Sequence, residues 1–171
     1  MTYNIHPIIV HFPIALLFLY SLIKIIPFKK WFPKISWKQI EILLLTIGVI
    51  GALVASSTGE IAQHLINKSR QIIRIHSTFA EISTFIYGLI LIGEILPFFT
   101  LKIIPKLNSQ KITNLFIFIQ KILTDDILVA ILAFLGLIAI AITGLLGGVI
   151  VYGVSADPIA ILVLKILGLS Y

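Results

Sequence analysis

Apolar residues gather into four runs, each long enough for a helix to cross a bilayer, which takes about 20 mainly apolar residues for ~30 Å of hydrocarbon. The runs lie at about 7–27, 40–65, 73–98 and 127–151. A fifth apolar stretch, Pro158–Leu169, is too short to span; Asp157-Pro158 before it reads as an N-cap and first-turn proline. It is expected as a short helix at the surface or folded back on the bundle. Between the third and fourth runs, Ile112, Leu115, Phe116, Ile119, Ile122 and Leu123 recur at helical spacing, with Gln110, Thr113, Asn114, Lys121 and Thr124 on the other face. That pattern predicts an amphipathic helix on the cytoplasmic leaflet, as an anchor or as a docking surface. The expected fold is all-α: a polytopic membrane protein, a four-transmembrane-helix bundle in one domain, with a cytoplasmic amphipathic helix and a short C-terminal helix.

Composition agrees. Of 171 residues, 59% are hydrophobic and 12% charged, and the mean hydropathy is +1.13. A soluble domain carries about 25% charged residues. The chain has no cysteine, which excludes a disulfide scaffold, iron–sulfur ligation by this chain and covalently attached haem. Met1–Ile5 has no basic side chain, so a cleaved signal peptide is not expected and the first helix stays.

The net charge of +6 follows the membrane. Lys24, Lys29, Lys30, Lys34, Lys38, Lys102, Lys106, Lys111 and Lys121 fall on one side; Lys68, Arg70, Arg74 and Lys165 fall on the other. The positive-inside rule then places the first and third loops in the cytoplasm and both termini outside, in a multi-pass protein of the cell membrane. Anionic lipid accounts for the basic excess, and nothing calls for nucleic acid.

Small residues mark packing surfaces. Gly51, Ala55 and Gly59 are four apart, as are Gly144 and Gly148, and Gly48, Gly136 and Gly147 lie nearby. Such spacing lets helices approach closely in lipid; it also makes room for a flat cofactor, and spacing alone does not separate the two. A faint internal echo runs through the chain. The second and fourth runs each hold a Thr-Gly (Thr58-Gly59, Thr143-Gly144), and the first and third each begin near a histidine. Two similar hairpins about an axis along the membrane normal would produce it.

The polar residues that call for explanation cluster at the outward end. His6, His11, His64 and His76 all lie there, on three helices, with Glu60 and Glu81 slightly deeper. Glu60 and His64, four apart, share a helix face, where a carboxylate can fix an imidazole tautomer. Pro13 cannot bond the carbonyl of Ile9 and is expected to kink the first helix and turn its outer end to the interior. Reaching for headgroups would explain any one of these residues; the convergence points to a cofactor, metal or proton role. Glu41, Glu94 and Lys24 sit near the cytoplasmic edge, where snorkelling and ion pairing suffice.

The run His6-Pro7-Ile8-Ile9-Val10-His11-Phe12-Pro13-Ile14 resembles the opening signature of a four-helix membrane family catalogued as domain of unknown function 2231. Thr58-Gly59, His76, Gly147-Gly148 and Val151-Tyr152-Gly153 match further places in it, over about residues 5–155. The resemblance implies a four-helix membrane fold. Fusions of some members to Rieske iron–sulfur domains imply electron transfer at the outer membrane face. His6 and His76 match the family's recurring histidines, and His11 matches a position that is acidic in some members. Val149 departs from the pattern, standing where the family often has His or Glu, which weakens a ligand role for the fourth helix.

Two cofactor readings follow. In the first, a b-type haem is held near the outer face by His11 and His76, with His6 or His64 able to replace either and Arg70 and Arg74 near its propionates. The chain would then carry electrons between the quinol pool or a membrane complex and an outer-face acceptor such as a Rieske or cytochrome protein. In the second, a transition metal ion is held by His11, His76, His64, Glu60 and Glu81. A third reading is a non-catalytic anchor or subunit, within a homo-oligomer or a larger complex. A proton-coupled carrier using Glu60 and Glu81 is the least supported, because four spans without an inverted repeat lack the usual architecture. An electron carrier or subunit fits better than a stand-alone enzyme.

Overall fold

The computed structural model describes residues 4–64, 70–103 and 109–169. Lys68 and Lys106, used in the charge asymmetry, lie outside them. The helices are α1 (His6–Ile25), α2 (Phe28–Trp31), α3 (Trp37–Gln63), α4 (Arg70–Ile103), α5 (Gln110–Leu123), α6 (Asp126–Tyr152) and α7 (Ala160–Ile166). A single 3-10 turn, Val154–Ala156, joins the last two. The four long apolar helices are α1, α3, α4 and α6, and each is long and apolar enough to cross a membrane.

Local chemistry sets the boundaries. Pro7 in the first turn of α1 needs no hydrogen-bond partner for its nitrogen. Asp125 caps α6 by accepting from the Leu128 N–H at 2.9 Å. Gly153, with φ +84°, ends α6 in a conformation that a side chain would strain. Neither Pro13 nor Pro97 ends its helix. α4 therefore runs beyond the predicted 98 to Ile103, and its 34 residues, at ~1.5 Å each, exceed the hydrocarbon thickness. The short α2 was not anticipated; in it Phe28 meets Trp31 edge-on and stacks on Trp37.

α1 packs chiefly on α3 and α4 on α6, with secondary seams between α1 and α6 and between α3 and α4. Two hairpins thus close into one bundle. Leu17, Tyr20, Leu45, Val49, Ala52, Tyr87, Ile90, Val129, Ala133 and Ile140 form its core. The outer surface is apolar instead of charged: Ile8, Phe12, Leu43, Ile50, Phe85, Ile127 and Ile131 are all exposed. That inversion is what a lipid solvent demands. The tail folds back, with Ala160 and Leu164 buried in a second cluster against Ile72, Leu146, Val149 and Ile150. Asp157 accepts from Ile159 N–H at 2.8 Å, so it stabilises the approach to α7 from three residues before it. α5 forms where the amphipathic pattern predicts it, with no buried side chain. Its last residue, Leu123, lies so close to α4 that a Cβ on Gly93 would stand 2.6 Å from the Leu123 carbonyl oxygen.

The internal echo is a structural repeat. Leu17 of α1 lies over Gly48 of α3, where an added Cβ would come within 2.6 Å of Leu17 Cδ2. Tyr87 of α4 lies over Gly136 of α6 in the same way, 2.8 Å from its Cζ. At the end of the bundle where α1 begins, His6 lies over Gly59, with an added Cβ 3.1 Å from Cε1, and His76 lies over Gly147, at 3.3 Å. Both pairs of contacts give one register. Each α4 residue stands 70 positions after its α1 counterpart, and each α6 residue 88 positions after its α3 counterpart.

Candidate functional site

The two imidazoles of this repeat, His6 on α1 and His76 on α4, come from helices that face each other diagonally across the bundle. Both are half-buried. Each ring is seated closely on a glycine, where a methyl group would press on Cε1 and require the ring to shift by a few tenths of an ångström.

Hydrogen bonding fixes both rings in one tautomer. His76 Nδ1 lies 2.9 Å from the Thr143 carbonyl oxygen. A carbonyl only accepts, so Nδ1 carries the proton and the lone pair of the neutral ring is on Nε2. His6 Nδ1 lies 3.0 Å from Thr58 Oγ1. The single hydroxyl proton of Thr58 is committed to the Ala55 carbonyl at 2.9 Å; Oγ1 therefore accepts from His6, and its Nε2 also keeps the lone pair. Ala55 and Thr143 are counterparts in the repeat. One ring donates directly to the carbonyl at this level, and the other reaches it through a hydroxyl. An imidazole held by Nδ1 with Nε2 available is the arrangement that orients a metal-ligating histidine.

The other predicted residues stand apart from this pair. His11 is exposed, and its Nδ1 donates to the Pro7 carbonyl of its own helix. His11 and His76, the pair favoured from depth alone, are thus not brought together on the interior. The expected inward turn of α1 holds for His6 and for the buried Pro13, which lies against Gly51. His64, at the C-cap of α3, is exposed, as are Glu60, Glu81, Arg70 and Arg74. Among the described residues neither glutamate forms an ion pair. Among the same residues, no three His, Asp or Glu side chains come together as a metal-binding group.

The small residues divide into two sets. Gly48, Gly51, Gly59, Gly136 and Gly147 each have a neighbouring side chain seated on them, whereas a Cβ on Gly144 or Gly148 would meet nothing within 4 Å. The first set serves packing. The second leaves open space on α6 beside the turn that carries Thr143 and Gly147.

Sequence reasoning passed over the polar groups buried most deeply. Tyr20, Ser21, Glu41, Tyr87 and Glu94 are all at the core, at the end opposite the imidazoles. Their signal was present, since two acids in apolar runs need partners, but proximity to the membrane edge offered a sufficient account.

A family model described as a predicted membrane protein, DUF2231, matches residues 2–158. No curated protein and no solved structure matches the chain.

Proposed function

The chain belongs to the DUF2231 family of predicted membrane proteins, and from that premise we propose that it is a b-type haem protein of the cell membrane. It would pass electrons between the quinol pool or a membrane complex and an acceptor at the outer face, such as a Rieske or cytochrome protein. The observation that carries this reading is the matched pair His6 and His76. Two imidazoles stand on helices diagonal to each other in the bundle, each held at Nδ1, which in the neutral ring leaves the lone pair on Nε2.

The residues present fit the group. Histidine is a usual axial ligand of haem iron, and facing helices of a bundle are a usual place for it. The axial pair proposed is therefore His6 with His76. Gly144 and Gly148 leave the adjoining flank of α6 without side chains, where a ring would approach the backbone closely. Arg70 and Arg74, exposed on the first turns of α4, would supply donors to propionates. When bound, the haem would supply one-electron chemistry. The protein's part is to hold the rings in their tautomers, to surround the site with apolar helices, and to tie it to the outward surface. In this reading both termini face outward and the lysine-rich loops face the cytoplasm.

Absorption spectra of the purified protein, oxidised and dithionite-reduced, test this directly after expression with adequate haem supply. Soret and α bands that respond to reduction are expected; His6→Ala and His76→Ala should each abolish them, while His11→Ala and His64→Ala retain them. A wild-type protein without such bands would sink the proposal. The second reading, a subunit of a larger membrane complex, draws on Glu60 and Glu81. A carboxylate exposed on a spanning helix costs up to ~2.5–3.5 kcal/mol at mid-membrane and less towards the edge. A partner's donor would offset it. The transition metal ion has less support, since the expected ligands do not converge.

A further inference from the structure

The lysine-rich end of the bundle buries a charged cluster. Lys24 Nζ lies 2.8 Å from Glu41 Oε2 and 3.6 Å from Glu94 Oε1. Lys29, on α2, reaches Glu41 Oε1 at 2.8 Å, and Lys38 pairs with Glu94 Oε2. The side chain of Glu41 is 0% exposed, against 7% for Glu94 and 8% for Lys24, whereas Lys29 and Lys38 are 49% and 64% exposed. Two enclosed carboxylates therefore share one enclosed ammonium, and with the two lysines standing in the surroundings three ammonium groups face two carboxylates.

Ordinary snorkelling does not describe this arrangement, because a snorkelling side chain leaves its charged head in water. Stability alone explains it poorly, since a buried ion cluster seldom outperforms apolar packing. The repeat gives an internal comparison: the counterpart of Glu41, 88 positions on, is Val129, a buried core residue. The fold thus accepts an apolar side chain at that position.

A second observation lies beside the cluster. The Tyr20 hydroxyl is fully buried and among the described residues has no hydrogen-bond partner, a rare condition for a polar group inside a membrane helix. Lys24 Nζ stands 5.8 Å from the centre of the Tyr20 ring. Tyr20 meets Tyr87 edge-on, centroids 6.2 Å apart, and the Tyr87 hydroxyl is 2.7 Å from Ser21 Oγ. Ser83, one turn further along α4, is also buried. Groups able to hold or pass a proton thus continue from the charged end toward the middle of the bundle.

We propose that this cluster is a proton-exchange site. Glu94 takes a proton from hydronium on the lysine-rich side, leaving water in solution, and Tyr20 and Tyr87 stand on the inward side of the site. Geometry selects Glu94 over Glu41. Each carboxylate has two lysine partners, but Lys24 stands 2.8 Å from Glu41 and 3.6 Å from Glu94, and Lys38, which pairs closely with Glu94, is more exposed than Lys29, which pairs with Glu41. The groups around it are Lys24 and Tyr20 from α1 and Lys38 and Glu41 from α3; Lys29 of α2 joins the cluster through Glu41, Tyr87 lies two turns away on its own helix, and α5, packed on α4 at Gly93, keeps its Lys111 and Lys121 exposed. α6 meets this end of the core with Val129 and Ala133, its Asp125 and Asp126 being exposed. The site stands on this geometry and does not require haem.

Infrared spectroscopy of the full chain in liposomes, stepped through pH in H2O and D2O, reads the proposal. The expected result is a protonated-carboxyl C=O band that grows on acidification, shifts in D2O and is lost in Glu94→Gln. The chain holds four glutamates, Glu41, Glu60, Glu81 and Glu94, beside Asp125, Asp126, Asp157 and the C-terminal carboxyl; with 13C placed in the glutamate side-chain carboxyls alone, the isotope-shifted band reports only glutamate, and the double variant E60Q/E81Q leaves only the cluster and should keep it. This second variant decides the matter even where Glu94→Gln does not fold. Absence of the band at every pH at which the helices persist overturns the proposal, as does its loss in E60Q/E81Q or its survival in a folded Glu94→Gln.

Discussion

A methyl group at Gly136 would stand 2.8 Å from Tyr87 Cζ, and that ring has little freedom to yield. Its hydroxyl is tied to Ser21 and its edge rests on Tyr20. Gly136→Ala is therefore expected to cost about 1–3 kcal/mol, the usual range for overpacking. Gly144→Ala, with nothing within 4 Å, should stay within about 0.5 kcal/mol of the parent. Reversible unfolding in mixed micelles compares them, and equal losses would contradict the division of glycines into packed and open sets. The sequence displayed both glycines at helix-packing spacing and could not divide them, because the difference lies in which neighbour stands opposite. The histidines show the same limit. His6 and His11 are five residues apart, which at 3.6 residues per turn places them on different sides of α1. Depth was readable from the chain, and the inward side was not, since it depends on where α3 and α6 pack. Glu41 and Glu94 were readable as charges near an edge; that they share Lys24 is a property of three helices together.

At the scale of the elements, hydropathy and capping residues located every span and the amphipathic α5, while the ends moved. The third apolar run was placed to end at about 98, yet α4 continues through Pro97 to Ile103, because a proline removes one hydrogen bond and only loosens a helix held by its neighbours. The lysines follow the same elements: α2, the start of α3, the end of α4, and α5 all belong to one end of the bundle. This arrangement predicts a definite topology. The chain has no cysteine, so single cysteines report without background. Ser109→Cys, before α5, should resist a membrane-impermeant maleimide in intact cells and react after lysis. Ser155→Cys, after α6 and exposed, should react in intact cells. The reverse pattern would invert the orientation and would place the imidazole pair on the cytoplasmic side.

For the whole molecule, the repeat is the organising fact, and the sequence showed it out of register. Thr58-Gly59 and Thr143-Gly144 invite alignment with each other, whereas the structure matches Gly59 with Gly147 and Ala55 with Thr143. The slip is three residues, close to one helical turn, so the same face was recognised on the wrong turn. What the repeat does not share is what joins its halves. Tyr20, Ser21 and Lys24 of the first hairpin meet Tyr87 and Glu94 of the second, and α1 lies on α6 as α3 lies on α4. If each hairpin is a folding unit held by these contacts, the covalent link between them is dispensable. A chain divided between residues 67 and 68 and expressed as two halves should reassemble, and a tag on the first half should recover the second from detergent. Replacing Lys24 with Met and Tyr87 with Phe together should weaken that recovery. The variant removes one enclosed cation and one buried hydrogen bond at the seam, and leaving a partner charge unpaired costs about 3–5 kcal/mol. Halves that never co-purify, while the intact chain folds, would show that the hairpins depend on their connection and would refute their standing as units.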